Sequence, residues 1–153
     1  MKKYPVPAAF TSSVGFNDFD KYQLVRKNAQ DASNAYWESV AERIDWFEKW
    51  TDVNKTNYHQ SHIEWFSNGK LNVSYNCLDR HIQNGLGDKT ALIWQSNDPN
   101  ISKEVSYSQL LEKVSQFANG LKKVGIQKGD RVCIYMQMIP EAIVAMLACA
   151  RIG

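Results

Sequence analysis

Residues Lys128–Gly153 read KGDRVCIYMQMIPEAIVAMLACARIG. Gly129 and Asp130 turn the chain into Val132, Cys133, Ile134, Tyr135 and Met136, a continuous apolar run that predicts a strand covered on both faces. Pro140 suits the first turn of a helix, and Glu141 suits its positive end. The helix predicted over Ala142–Arg151 is apolar almost all round and should be buried on most sides.

Upstream, Ala91–Trp94 reads as a short strand, Ser96–Asn100 as a turn, and Lys103–Val105 as the returning strand of a hairpin. Ser106 and Gln109 match a capping box. Behind them Leu110, Leu111, Val114, Phe117, Ala118, Leu121 and Val124 form one helical stripe, which Gly125 ends. Strand and helix alternate here as in a parallel α/β sheet, so the fold class read from the sequence is α/β.

The first half has another grammar. Tyr36, Trp37, Val40, Ala41 and Ile44 recur at three- and four-residue spacing, and the pattern from Asp20 to Trp50 predicts helix, with Asp31 and Ser33 as caps between two segments. Thr51–His62 is polar and reads as irregular. Leu71, Tyr75, Leu78 and Ile82 share a face of a further helix over 71–83, capped by Asn72 and stopped by Gly85 and Gly87. The expected organisation is a loose arm over 1–19, a helical segment over 20–85, and the beginning of an α/β domain over 86–153.

Composition narrows the class. The chain has 153 residues, 44% hydrophobic and 22% charged, which is the make-up of a globular protein rather than a disordered one. A net charge of +2 is too weak a field to argue for nucleic acid. The longest apolar run, Ala142–Ala150, is far short of a membrane span. Pro5 and Pro7 interrupt the start, which does not read as a secretory signal. Three cysteines, Cys77, Cys133 and Cys149, suit a reducing cytoplasm better than a disulfide framework.

Two blocks carry a resemblance: WFSNGKLNVSYNCLDRH over Trp65–His81, and the Lys128–Gly153 string. Together they resemble the N-terminal part of the acetyl-CoA synthetases, AMP-forming members of the adenylate-forming ligases. Tyr36–Trp37, KTALIWQSNDP over Lys89–Pro99 and the helix from Tyr107 to Gly125 stand in the family's order. Gln137 departs from a frequent family Pro, and Asp31–Ala32 from a frequent Asp–Pro. The resemblance implies a longer enzyme that joins acetate to CoA through an acetyl-adenylate. ATP with Mg²⁺ and CoA would take part. It also implies that the phosphate loop, the CoA contacts, the acyl pocket and the catalytic lysine lie beyond Gly153. The expectation for this chain is therefore no catalytic, cofactor-binding or metal-ligating residue, a structural role, and the remainder of the same polypeptide as its partner. Two other readings stand beside it: a non-catalytic remnant or interaction module ending at Gly153, and a segment of a propionate- or acetoacetate-activating enzyme.

Several residues invite a sharper reading. NGLGDKT resembles the tail of a phosphate loop, but that motif needs glycines where Asp88 and Gln83 stand, and a dinucleotide motif needs one at Thr90. A helix stop and turn explains it better. His59, His62, Cys77 and His81 have zinc-ligand types, yet solvated histidines and a packed thiol suffice. Asp79, Arg80 and His81 could pass for an acid–base cluster; pairing that positions the helix is preferred. Arg151 reads as a cation at a helix C-terminus. Trp37, Trp46, Phe47, Trp50 and Trp65 read as packing rather than a base-stacking platform. Cys133 and Cys149, in apolar runs, read as buried thiols.

Overall fold

The computed structural model describes residues 18–153. The described residues divide into two compact units, one of residues 18–43 with 52–67, the other of residues 44–51 with 68–153.

In the first unit, helix α1 spans Phe19–Asp31 and opens where the Asp18 carboxylate accepts the Asp20 N–H at 2.9 Å. Asp20 lies in the first turn, at the positive end of the helix. Helix α2 spans Ser33–Ala41. The expected caps are not formed. Asp31 is the last residue of α1 and Ser33 the first of α2, and Ala32 between them offers no side-chain cap. A break one residue wide makes the two helix ends abut, so backbone bonds bridge it: Ala32 N–H donates to Asn28 and Tyr36 N–H to Ala32.

The polar stretch is more ordered than its composition suggests. Strand β1, Asp52–Asn54, pairs antiparallel with β2, Trp65–Ser67, with Asp52 opposite Ser67 and Asn54 opposite Trp65. Between them the Asn54 side chain accepts the Thr56 N–H at 2.7 Å, and the Asn57 side chain accepts the His59 N–H at 3.1 Å. Short amides that bond two residues ahead fold this loop locally. Trp37 meets Trp65 edge to face with centroids 6.2 Å apart.

The second unit begins with Ile44–Thr51, where the predicted helix does not continue. Phe47 N–H donates to Lys70 O and Lys70 N–H to Glu48 O, both within 2.8 Å. Pairing across the chain has captured the groups that a helix would use, so tertiary context overrides local pattern. The Lys70 ammonium also meets the Glu48 carboxylate at 2.7 Å.

The predicted helix over 71–83 forms, with a different winding. A turn of π-helix covers Tyr75–Asp79, and helix α3, Arg80–Gln83, completes it. The Asn72 side-chain Oδ1 accepts the Tyr75 N–H at 3.0 Å, as expected of a cap. Gly85 ends the element at φ +78°, where a side chain would be strained. At Gly87 a Cβ would lie 2.6 Å from the Ser108 hydroxyl, which would have to turn away to admit it.

Strand β3, Thr90–Gln95, and β4, Ser102–Ser106, make the predicted antiparallel hairpin, with an irregularity between Thr90 and Leu92. Helix α4, Tyr107–Lys123, starts with both halves of the capping box: Gln109 N–H to the Ser106 hydroxyl at 3.3 Å, and Ser106 N–H to the Gln109 side chain at 3.0 Å. Helix α5 spans Pro140–Ile152. Leu78, Val105, Leu110, Val114, Ala118, Val144 and Ala148 form the core of this unit. Each fully buried Leu or Val among them contributes about 1.5–3 kcal/mol.

Two expectations fail here. Val132–Met136 is not a strand, and nothing among the described residues pairs with it. Tyr135 is fully exposed and Met138 is 84% exposed. Both described sheets are antiparallel two-stranded ribbons, so the expected parallel pairing is absent among the described residues. A strand apolar on both faces needs a neighbour along each edge and cover over each face. None is supplied here. Helix α5 is likewise buried on only part of its surface, with Met146 exposed. The mixed α/β composition stands. The expected arm falls almost wholly outside the described residues.

Candidate functional site

Polar residues converge on the helix over 73–83. Asn72, Asn76 and Asp79 are four and three residues apart, the spacing that places side chains on one helix face. Asn72 works in two directions. Its carbonyl caps its own helix, and its NH₂ donates to the carbonyls of Ala150 and Arg151 at 2.9 and 3.3 Å. Those carbonyls belong to the last turn of α5, whose acceptors have no partner within the helix. The Asn76 amide clasps the backbone of Asp45, accepting its N–H at 2.8 Å and donating to its carbonyl at 2.9 Å.

Asp79 and Arg151 complete the cluster. The guanidinium donates through Nη1 to Oδ2 at 2.7 Å and through Nη2 to Oδ1 at 2.9 Å. This is a planar fork on a carboxylate, the stronger form of ion pair. Both side chains are more than two-thirds buried. The hydrogen bonds that Arg151 donates to Asp79 raise its pKa further above its ordinary value, and burial opposes that only in part. Arg80 reaches Asn76 Oδ1 at 3.3 Å and Asp45 Oδ1 at 3.7 Å. The preferred reading of Asp79 and Arg80, pairing that positions the helix, describes what is seen. Arg151 lies in the last turn of α5, as expected of a helix-terminal cation, and its guanidinium also reaches back to Asp79.

Chemically, this cluster is occupied with itself. Both carboxylate oxygens of Asp79 accept from Arg151, and both groups of the Asn72 amide are engaged. It holds backbone segments together. Asn72 and Asn76 escaped the sequence reading as a pair, although their spacing to Asp79 was a usable signal.

The other singled-out residues are dispersed. Gly85, Gly87 and Lys89 lie in a turn in which Leu86 N–H donates to His81 O and Lys89 N–H to Leu86 O, and Thr90 begins β3. His62 Nε2 lies 2.9 Å from the Glu64 carboxylate. Glu64 is held below the usual glutamate pKa, first by a hydrogen bond from Ser67 and then by one from His62. The His81 ring lies 5.1 Å from that of Tyr107. Cys77 is exposed rather than packed, while its neighbour Leu78 is buried. Cys133 is exposed too, contrary to expectation, since its segment lacks cover, and Cys149 is half-buried. Among the described residues no three of His, Cys, Asp or Glu are grouped so as to hold a metal ion. Trp46 packs edge-on against Trp50 at 4.9 Å, and Phe47 against Tyr75 at 5.1 Å. A groove of about 380 Å³ beside α4 and α5 is lined mostly by apolar residues, including Leu92, Leu110, Phe117 and Val144. No helix among the described residues is long and apolar enough to cross a membrane.

Comparison with known proteins gives this arrangement a context. Residues 78–153, which carry the hairpin, α4 and α5, match the family model described as AMP-binding enzyme. Residues 22–77 match the one described as acetyl-coenzyme A synthetase N-terminus. The acetyl-coenzyme A synthetase of Magnetococcus marinus is 48% identical over 154 residues, covering 100% of this chain and 24% of the relative. That of Alkalilimnicola ehrlichii is 46% identical over 153 residues, covering 99% and 23%. Acetyl-coenzyme A synthetase 2 of Pseudomonas putida is 43% identical over 153 residues, covering 100% and 23%. The chain belongs to the acetyl-coenzyme A synthetase family of AMP-binding enzymes and corresponds to its N-terminal segment. It spans about a quarter of the length of the curated relatives it matches.

Proposed function

We propose that the whole protein is an AMP-forming acetate–CoA ligase of the cytoplasm and that this segment is part of its scaffold. The observation that carries the reading is the match of residues 22–77 and 78–153 to two adjoining family models. The names of the relatives favour acetate over propionate or acetoacetate.

In the proposed reaction a carboxylate oxygen of acetate attacks the α-phosphorus of ATP. The bond to the bridging oxygen breaks, and pyrophosphate leaves. The CoA sulfur then attacks the carbonyl carbon of acetyl-adenylate, AMP departs with its phosphate oxygen, and the thiol proton is released. The first step needs cationic and N–H groups around the phosphates, with Mg²⁺ accompanying the nucleotide. The second needs a dry pocket that holds acyl carbon and thiol together.

We assign no catalytic, cofactor-binding or metal-ligating residue to this chain. In this reading those groups would lie in the part of the relatives' length that it does not span. Residues 20–85 would form the leading helical segment and 86–153 the beginning of the nucleotide-binding domain. Within the second unit, the polar cluster of Asn72, Asn76, Asp79 and Arg151 would hold the helix over 73–83 to the segment at Asp45 and to the end of α5. The uncovered run Val132–Met136 would become a paired strand against the remainder of the same polypeptide.

The test compares the 153-residue chain with a polypeptide of the relatives' full length. Each is supplied with acetate, ATP, Mg²⁺ and CoA, and AMP and acetyl-CoA are measured. Only the longer polypeptide should form both products. ATP-dependent acetyl-CoA formation by the 153-residue chain would overturn the scaffold assignment. A longer polypeptide that turns over propionate or acetoacetate, but not acetate, would overturn the choice of acid.

A further inference from the structure

We draw no further inference here: the strongest candidate, the exposed apolar stretch from Cys133 to Met138 that leads into α5, carries nothing because nothing in the structure shows what covers it beyond the pairing already proposed.

Discussion

Asp79 and Arg151 lie 72 residues apart in the chain and meet in a two-pronged ion pair of 2.7 and 2.9 Å. The pair joins the π turn to the last turn of α5, and Asn72 reinforces the joint through two backbone carbonyls. One carboxylate and one amide therefore tie the end of α5 to a helix formed much earlier in the chain.

Removing one partner leaves the other charge largely buried and unpaired. Asp79→Ala or Arg151→Met should each destabilise α5 by about 2 kcal/mol, less than a fully buried pair because Arg151 keeps some solvent contact. Native-state hydrogen exchange of the α5 amides should quicken on the order of thirtyfold. The double change should cost less than the two single changes added together. Strict additivity would mean that the two groups do not interact.

Asn72 makes a sharper test, because its two ends have different jobs. Asn72→Asp keeps an acceptor for the Tyr75 N–H but loses the donors to Ala150 and Arg151, and it sets a negative charge at the negative end of α5. Exchange at α5 should quicken while the turn at Tyr75 stays protected. Asn72→Ala should loosen both, by about 1–2 kcal/mol. Equal protection at Tyr75 in the two variants would refute the capping role.

Ser106 accepts one bond of a complete capping box at the start of α4. Ser106→Ala should cost about 1 kcal/mol, and Ser106→Asp should restore most of it. Amide protection through the first turn of α4 is the readout. No change on Ser106→Ala would mean that tertiary packing alone holds that end.

Cysteine labelling tests the proposed pairing of Val132–Met136. In the 153-residue chain Cys77 and Cys133 are both exposed and should react readily with a maleimide. In a polypeptide of the relatives' length Cys133 should be protected. Equal labelling of Cys133 in both would rule out the paired strand.

Glu64 links the first unit to pH. Its pKa is lower in the folded chain than in the unfolded one, so the folded state binds its proton less readily. Its contribution is present above the ordinary glutamate range and is lost as pH falls through the depressed value. An NMR titration should place the Glu64 midpoint below an ordinary glutamate, and Ser67→Ala should move it upward. A midpoint unmoved in Ser67→Ala would assign the shift elsewhere.

Elements governed by near neighbours were legible from residue order alone. The Ser106–Gln109 box, the stop at Gly125, the proline start of α5 and the β3–β4 turn all depend on groups a few residues apart. So did the family, because the strings Trp65–His81 and Lys128–Gly153 are long. Two of the failures share another cause. Ile44–Trp50 has a helical pattern, yet Lys70 and Asn76 take its backbone groups. Val132–Met136 has the composition of a buried strand, yet a strand exists only where a neighbour supplies hydrogen bonds. Arg151 is the helix-terminal cation its position suggests, but only the folded chain brings Asp79 beside it. Local sequence dictated caps, turns and periodicity, whose energies are short-ranged. Only the tertiary structure decided which distant backbone or charge each segment would meet.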